Sequence, residues 1–212
     1  MNIEKINELW LPAEDAQIEQ WREKGYPHMQ DRCLNRFIKY CDNNDIRFNT
    51  VLDIGAWCGT WSLAIQKYAK NVLCFEPNKT HFACLEKNLA PFKHVSLYNH
   101  AVGNEEGLIK LSEETATQNT RVIQEKGDTA ICKLDSLNLE NIDLIKIDVE
   151  GFEMEVLKGA TETIKNTEWI MIELNNNTKR YGSSNIEIEK YLPKLGFKSL
   201  IKIWPDIVYR RK

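Results

Sequence analysis

The chain has 212 residues and a mass of 24.7 kDa, which fits one domain of ordinary size. Its 28 lysines and arginines against 31 aspartates and glutamates give a net charge of −3, which speaks against the basic surface of a duplex nucleic-acid binder. No apolar run reaches the roughly 20 residues that span a bilayer, and the first residues do not resemble a signal peptide. We therefore expect a cytoplasmic protein with no membrane span and no nucleic-acid partner.

Two helices are predicted before residue 49. The second has five apolar residues at helical spacing: Cys33, Leu34, Phe37, Ile38 and Cys41. The first is marked by Ile18 and Trp21 and is expected to end near Gly25 and Pro27. Because no flexible linker follows, we interpret residues 1–48 as a helical extension packed on the core.

From residue 49 to residue 212, apolar runs alternate with amphipathic segments. The predicted strands are VLDIG, NVLCFEP, VSLYNHAVG, LIKIDVEG and EWIMIELN. The predicted helices are TWSLAIQKYAK, KTHFACLEKNLA, EMEVLKGATETIK and IEIEKYLPKLG. This alternation predicts an α/β domain with a mostly parallel sheet that helices cover on both faces.

Two stretches depart from the alternation. Between residues 104 and 134 the strand-like pieces GLIKLS, TRVIQ and TAICKL follow one another with no helix between them, which predicts an antiparallel insertion. Near the carboxyl end, FKSLIKI and DIVYRR flank the turn residues Trp204 and Pro205. We expect these two segments to form a closing antiparallel hairpin.

The first strand of the domain ends in Asp53-Ile54-Gly55-Ala56-Trp57-Cys58-Gly59 and opens directly into a helix. Gly55 permits a tight turn and Gly59 a close approach to a ligand, while the helix start presents free N–H groups. Glu76 ends the second strand about 20 positions after Asp53, where an acidic residue binds both ribose hydroxyls. Together these features predict a nucleoside site.

The kind of nucleoside follows from two further observations. Trp57 replaces the middle glycine of the dinucleotide motif G-x-G-x-x-G and would crowd a pyrophosphate. Asp53 suits a cationic amine, such as the methionine end of S-adenosylmethionine. The sequence therefore favours S-adenosylmethionine over a nicotinamide cofactor.

Several motifs resemble those of the FkbM-type methyltransferases. They are VLDIGAWCG, Glu76-Pro77, Ala101-Val102-Gly103, Leu134-Asp135-Ser136 and LIKIDVEGFEMEVLKGA followed by IELN, in the family's order over residues 50–175. The resemblance implies a Rossmann-like class I methyltransferase fold, S-adenosylmethionine as methyl donor, and O-methylation, often of sugars. The loop residue Trp57 departs from the family pattern GAN-x-G. The resemblance also places Asn99, His100, Ala101 and Val102 near the adenine, where His100 either hydrogen-bonds the adenine or caps the strand.

The predicted donor-binding residues combine these observations: Asp53, Gly55, Ala56, Trp57, Gly59, Glu76, Pro77, Asn78, His100, Ala101, Val102 and Asp148.

The run LIKIDVEG carries the candidate catalytic residues. Strand alternation puts Lys146, Asp148 and Glu150 on one face, although a central parallel strand is normally apolar on both faces. Buried charges persist when they are paired or functional. We interpret Asp148 as adjoining the methionine and Glu150 as facing the acceptor; a Lys146–carboxylate pair that only satisfies itself is the alternative.

The next strand adds Glu173 and Asn175, which share a face at its end. With Asp148 they would form an oxygen-rich magnesium site. The rival arrangement, which we favour, uses Glu150 or Glu173 as a metal-free base. Asp135 is interpreted as a helix cap in preference to a cavity residue.

Acceptor recognition is expected from the extension and the 104–134 insertion. The candidates for stacking on a sugar or glycan are Trp10, Trp21, Tyr26, Trp57 and Trp61. One alternative is methylation of nucleic acid or of another small molecule. The negative net charge and the lack of a D/N-P-P-Y/F motif speak against nucleic acid. The other is a non-catalytic nucleoside-binding module, which leaves the charged face around Asp148 without a purpose.

Overall fold

The computed structural model describes residues 2–16, 18, 19, 32–112, 114, 119–123 and 125–212. The strands are β1 (Ile3–Ile6), β2 (Leu9–Pro12), β3 (Phe48–Ile54), β4 (Ala69–Phe75), β5 (Val95–Tyr98), β6 (Ala101–Val102), β7 (Gly107–Leu111), β8 (Val122–Ile123), β9 (Thr129–Cys132), β10 (Ile142–Ile147), β11 (Trp169–Glu173), β12 (Phe197–Ile203) and β13 (Asp206–Arg211). The helices are α1 (Arg32–Asn43), α2 (Thr60–Ile65), α3 (Lys79–Leu89), α4 (Glu153–Lys158), α5 (Thr161–Lys165) and α6 (Asn185–Lys194). Within these ranges no helix is long and apolar enough to cross a bilayer.

A seven-stranded sheet in the order β12-β13-β11-β10-β3-β4-β5 forms the centre of the fold. The five strands from β11 to β5 in this order pair in parallel, and β13 runs antiparallel to both β11 and β12. The predicted α/β sheet with a closing antiparallel hairpin is therefore confirmed. Parallel pairing brings the carboxyl ends of β3, β4, β10 and β11 to one edge, where ligands bind in such folds.

Helix α1 packs against one face of this sheet through its apolar stripe. The Phe37 ring lies 5.5 Å from the Trp169 ring and 6.2 Å from the Phe48 ring. Cys33 and Cys41 are buried free thiols in the same cluster. The predicted helix over this stripe is present and is part of the core.

The chain does not begin with a helix, so the prediction of a wholly helical extension was wrong. Strands β1 and β2 form an antiparallel hairpin whose turn residues, Asn7 and Glu8, have φ values of 45° and 70°. Two residues with positive φ produce the turn twist that hairpins favour. The predicted helices were marked only by residues 18–21 and 33–41, and no sequence signal was recognised for this turn. The division of the chain at residue 48 stays a prediction. The expected helix end near Gly25 and Pro27 lies outside the described residues.

One side chain of α3 holds the hairpin in place. Asn88 accepts a hydrogen bond from the Trp10 backbone N–H at 2.7 Å and donates to the Trp10 carbonyl at 2.9 Å. Its amide also donates to the carbonyl of Cys58 at 2.8 Å, in the turn after β3. The hairpin, α3 and this turn are thus linked through a single residue.

The predicted strand VSLYNHAVG is divided between two sheets. It forms β5 at the edge of the large sheet and β6 in a four-stranded sheet of order β6-β9-β7-β8. The break occurs at Asn99, whose amide donates to the carbonyls of Glu76 and Pro77 at 2.8 and 3.1 Å. Strand β7 pairs antiparallel with β8 and β9, while β6 runs parallel to β9.

Asp135 caps helix α5. Its carboxylate accepts hydrogen bonds from the backbone N–H of Glu162 at 3.0 Å and of Thr163 at 2.8 Å. Burial raises the pKa of Asp135, but these hydrogen bonds outweigh it and hold that pKa below its ordinary value. The residue caps a helix that begins 26 positions further along the chain.

Candidate active site

A cavity of about 330 Å³ opens at the carboxyl ends of β3, β4, β10 and β11. Its wall brings together most of the residues that the sequence singled out: Gly55, Ala56, Trp57, Glu76, Pro77, His100, Ala101, Val102, Lys146, Asp148, Glu150 and Glu173. Asp53, Gly59, Asn78 and Asn175 do not line it.

The turn after β3 depends on Gly55, which has a φ of 79°. A Cβ atom at Gly55 would lie 1.8 Å from the Asp148 carbonyl oxygen, so the two chain segments meet closely only because a glycine is present. At Gly59 the nearest atom to such a Cβ is Leu85 Cδ1, at 2.8 Å. The close approach predicted at Gly59 is therefore to helix α3 and not to a ligand.

Asp53 lies beneath this turn and is fully buried. Ser62 Oγ donates to its Oδ2 at 2.6 Å, and Lys146 Nζ lies 3.2 Å from its Oδ1. The cation that Asp53 meets is thus a lysine of the protein, in place of the ligand amine expected from the sequence. The physical reason is that β3 and β10 are adjacent and place Asp53 and Lys146 in register.

Lys146 holds three groups together. Its Nζ donates to the Gly55 carbonyl at 2.7 Å and pairs with Asp148 Oδ2 at 3.3 Å, besides its contact with Asp53. Burial alone would lower the pKa of Lys146, but the two carboxylates outweigh it and raise that pKa. A lysine that remains protonated in this way cannot accept a proton. Its contacts are those of a positioning residue.

Glu76 is the buried acid at the end of β4. Its Oε2 accepts a hydrogen bond from the Trp57 N–H at 2.8 Å, and its Oε1 accepts from the Asn78 N–H at 2.9 Å. Asn78 also caps α3, because its Oδ1 accepts from the N–H groups of Thr80 and His81. Asn78 therefore orients Glu76 from outside the cavity. A carboxylate has about four lone-pair sites. The His81 ring nitrogen lies 3.3 Å from Oε1, so three sites are in contact and one remains for a ligand hydroxyl.

Three carboxylates meet at the ends of β10 and β11. One oxygen from each of Asp148, Glu150 and Glu173 lies within 4.8 Å of the others. Burial, followed by the Asp148 charge, raises the pKa of Glu150 to about 7. The Asp148 charge, followed by burial, raises the pKa of Glu173 to about 10. Like charges this close cannot all ionise, so the cluster retains a proton at neutral pH unless a cation is bound.

Two asparagines orient these acids. Asn175 Oδ1 accepts from the Asn177 backbone N–H at 2.9 Å, and its amide therefore faces Glu150 and Glu173, each at 3.2 Å. Asn177 Nδ2 donates to Glu150 Oε2 at 2.8 Å. A backbone N–H only donates, so this contact identifies the Asn175 oxygen and turns its amide toward the acids. The structure groups Asp148 and Glu173 of the predicted magnesium set with Glu150, and the magnesium set itself stays a prediction.

Strand alternation does not explain the position of Glu150, because this residue lies in the turn after β10. Strand β10 ends at Ile147, and Glu150 has a φ of 54°. The fully buried Glu153 holds the turn, since its Oε1 accepts from the N–H groups of Gly151 at 2.9 Å and Val149 at 3.3 Å. Burial raises the pKa of Glu153 to about 7. The only sequence signal for Glu153 was an acid at the start of a helix.

Other wall residues had no individual signal in the sequence. The insertion contributes Leu111, Thr120, Arg121 and Val122, and the closing hairpin contributes Asp206. Among the aromatic candidates, Trp57 and Trp61 line the cavity. Trp10 instead packs beneath Lys87, with Nζ 4.3 Å from the ring centroid. Trp21 and Tyr26 lie outside the described residues.

The sheet order and the position of the cavity define a class I methyltransferase fold. The methyltransferase FkbM of Methylobacillus flagellatus KT superimposes with a TM-score of 0.56 at 14% identity, over 77% of this chain and 43% of that one. The S-adenosylmethionine-bound magnesium protoporphyrin IX methyltransferase of Synechocystis PCC 6803 also gives 0.56, at 10% identity over 94% and 93% of the two chains.

The sequence profile of the Methyltransferase FkbM domain matches residues 25–199. The chain belongs to this family. The hexuronic acid methyltransferase AglP of Haloferax volcanii is 26% identical over 166 residues, which is 74% of this chain. The chain spans 66% of the length of AglP, slightly less than two thirds.

Replacement of Gly55 tests the contact between the two turns. Gly182 has a similar φ of 71°, but a Cβ there would meet no described atom within 4 Å. We expect Gly182→Ala to lower the free energy of unfolding by about 1 kcal/mol through backbone strain alone. Gly55→Ala should lower it by about 3 kcal/mol because steric overlap adds to the strain. Equal losses in urea titrations would contradict the close approach at Gly55.

Replacement of Glu173 tests the acidic cluster. Because its pKa of about 10 in the folded protein exceeds the unfolded value, the folded protein binds the extra proton and loses stability as the pH rises from about 4.3. Glu173→Gln removes this titration. We expect the variant to match the wild type near pH 4 and to exceed it by about 1–3 kcal/mol at pH 8. Urea titrations at both pH values measure this, with the exposed Glu140→Gln as control; no gain at pH 8 would refute it.

Proposed function

We propose that this protein is an S-adenosylmethionine-dependent O-methyltransferase that acts on a sugar hydroxyl of a glycan or a glycosylated small molecule. The observation that carries the proposal is the position of Glu150. A carboxylate with a pKa of about 7 lies in the same cavity as the glycine turn at Gly55 and the acid Glu76. A nucleoside-binding module without activity has no need of such a base.

The donor-binding half of the cavity suits the nucleoside of S-adenosylmethionine. Glu76 is the residue that would accept from the ribose hydroxyls. The buried residues Ala101 and Val102 offer apolar contacts to adenine, and His100 is exposed at the same wall. When bound, S-adenosylmethionine supplies a methyl group on a cationic sulfonium, and the acidic wall formed by Asp148 and Glu150 complements that charge.

Glu150 is the residue that we assign as general base. A sugar hydroxyl is a weak nucleophile at neutral pH, and a positioned carboxylate removes its proton most effectively when the carboxylate pKa lies near the working pH. Asn175 and Asn177 fix the Glu150 side chain through hydrogen bonds to its Oε2. Glu173, which keeps its proton, can donate a hydrogen bond to a second acceptor oxygen. Lys146 fixes Asp148 beside them.

Three observations support a sugar as the acceptor. Trp57 lines the cavity and, being half-buried, offers part of an aromatic face. The relative AglP is named as a hexuronic acid methyltransferase. The chain carries a net charge of −3 and an acidic cavity, and both would repel the phosphates of a nucleic acid.

Calorimetric titration with S-adenosylhomocysteine tests the donor assignment. We expect micromolar binding to the wild type and no comparable binding of NAD, because Trp57 crowds the place of a pyrophosphate. The titration is repeated with magnesium, and tighter binding with the ion would support a cation at the three carboxylates. Preference for NAD, or no binding of S-adenosylhomocysteine, would refute the methyltransferase assignment.

The variant Glu150→Gln tests the base. It keeps the shape of the side chain but cannot take up a proton, so we expect methyl transfer to sugar acceptors to fall about 100- to 10,000-fold. S-adenosylhomocysteine affinity should stay within threefold. Because a base acts when deprotonated, wild-type activity should rise as the pH passes through about 7. Glu140→Gln is the matched control; unchanged turnover in Glu150→Gln would exclude Glu150 as the base.

A further inference from the structure

One tryptophan has no role in the core. Trp204 is 55% exposed, whereas Trp61 and Trp169 are buried and Trp10 and Trp57 are half-buried. Among the described tryptophans it leaves the most surface open to solvent. An indole ring carries a large apolar face and one N–H donor, and such rings are typical of sites that bind partly polar ligands.

The position of Trp204 relates it to the cavity. It lies in the turn between β12 and β13, two residues before Asp206, which lines the cavity wall. Asp206 pairs in register with Glu173 across β13 and β11. The carbonyl of Pro205 accepts a hydrogen bond from the Leu174 N–H at 2.9 Å. The turn is therefore attached to the carboxyl end of β11, beside the acidic cluster.

The residues on both sides of this turn are held in the sheet. Strand β13 is paired on both sides, so Asp206 is held by the ladders with β11 and β12, and Trp204 lies in the two-residue turn between the paired residues Ile203 and Asp206. A preformed surface loses little conformational freedom when a ligand binds. An exposed aromatic ring on rigid backbone is thus suited to contact a ligand with a flat apolar face.

The size of the cavity indicates where the acceptor contacts the protein. At about 330 Å³ it is at the small end of ligand pockets, which range from about 300 to 1,000 Å³. A nucleoside-sized donor would occupy most of this volume. The acceptor must then make most of its contacts at the rim, where the Trp204 turn follows the acidic wall.

We propose that Trp204 and Asp206 form a sugar-binding subsite of the acceptor. The C–H face of a pyranose ring stacks on the Trp204 indole, and a ring hydroxyl donates a hydrogen bond to the Asp206 carboxylate. The inference rests on the proposed function and deepens it, because it names the residues that select a sugar. A tenfold loss of affinity corresponds to about 1.4 kcal/mol.

Saturation-transfer difference NMR tests the subsite without requiring turnover. Methyl β-glucopyranoside, methyl β-galactopyranoside and a methyl glucuronide are added to the protein saturated with S-adenosylhomocysteine. We expect transfer to the ring C–H protons of at least one glycoside in the wild type and an about tenfold weaker affinity in Trp204→Ala. Trp204→Phe should retain most of the binding, since it keeps an aromatic face.

Leu200→Ala is the matched control, because Leu200 is also apolar and is 42% exposed on β12. It should bind the glycoside like the wild type, and all variants should bind S-adenosylhomocysteine normally. Wild-type transfer that persists in Trp204→Ala, or no transfer to any glycoside in the wild type, would overturn the subsite. Glycoside binding that depends on Trp204 without any methyl transfer would retain the subsite and refute the proposed O-methylation.

If Trp204→Ala does not fold, Trp204→Phe and Trp204→Leu are compared instead. The two side chains are similar in size, but only phenylalanine offers an aromatic face. Equal binding by these two variants would count against stacking, and weaker binding by Trp204→Leu would support it.

Discussion

The buried ammonium group of Lys146 is the interaction on which the site depends. It joins the Gly55 carbonyl, Asp53 and Asp148, which come from two adjacent strands and the turns that follow them. A lysine and a carboxylate removed from water, as Lys146 and Asp53 are, are costly unless they are paired, and this geometry pairs them with each other and Lys146 with the half-buried Asp148. The glycine turn after β3 and the acidic turn after β10 are therefore held in one fixed relation.

The acidic cluster, by contrast, destabilises the folded protein. Asp148, Glu150 and Glu173 lie close enough to repel one another, and Lys146 compensates only part of their charge. The asparagines donate hydrogen bonds to the two glutamates but bring no positive charge. An arrangement that destabilises the fold and shifts proton affinities is typical of functional sites.

Much of the fold and a large part of the candidate site could be predicted, because both depend on patterns local in the chain. Alternating apolar runs determine the parallel sheet, and parallel strands bring Gly55, Glu76 and Asp148 to one edge. Residues that long-range register brings to the site could not be predicted. Asp206 faces Glu173 only because two distant strands pair antiparallel, and the amide of Asn175 is oriented by a backbone N–H that no sequence pattern indicates.

The hydrogen bonds of Asn88 connect the turn after β3 to residues that precede the family profile. The family profile starts at residue 25, yet Asn88 connects the hairpin at Trp10 to the carbonyl of Cys58 within the glycine turn. A protein shortened to the family boundary would lose the Trp10 partners of this amide and the apolar cover that Leu11 gives beside Cys58 and Cys84. The hairpin of β1 and β2 therefore supports the turn after β3 from outside the residues that the family profile matches.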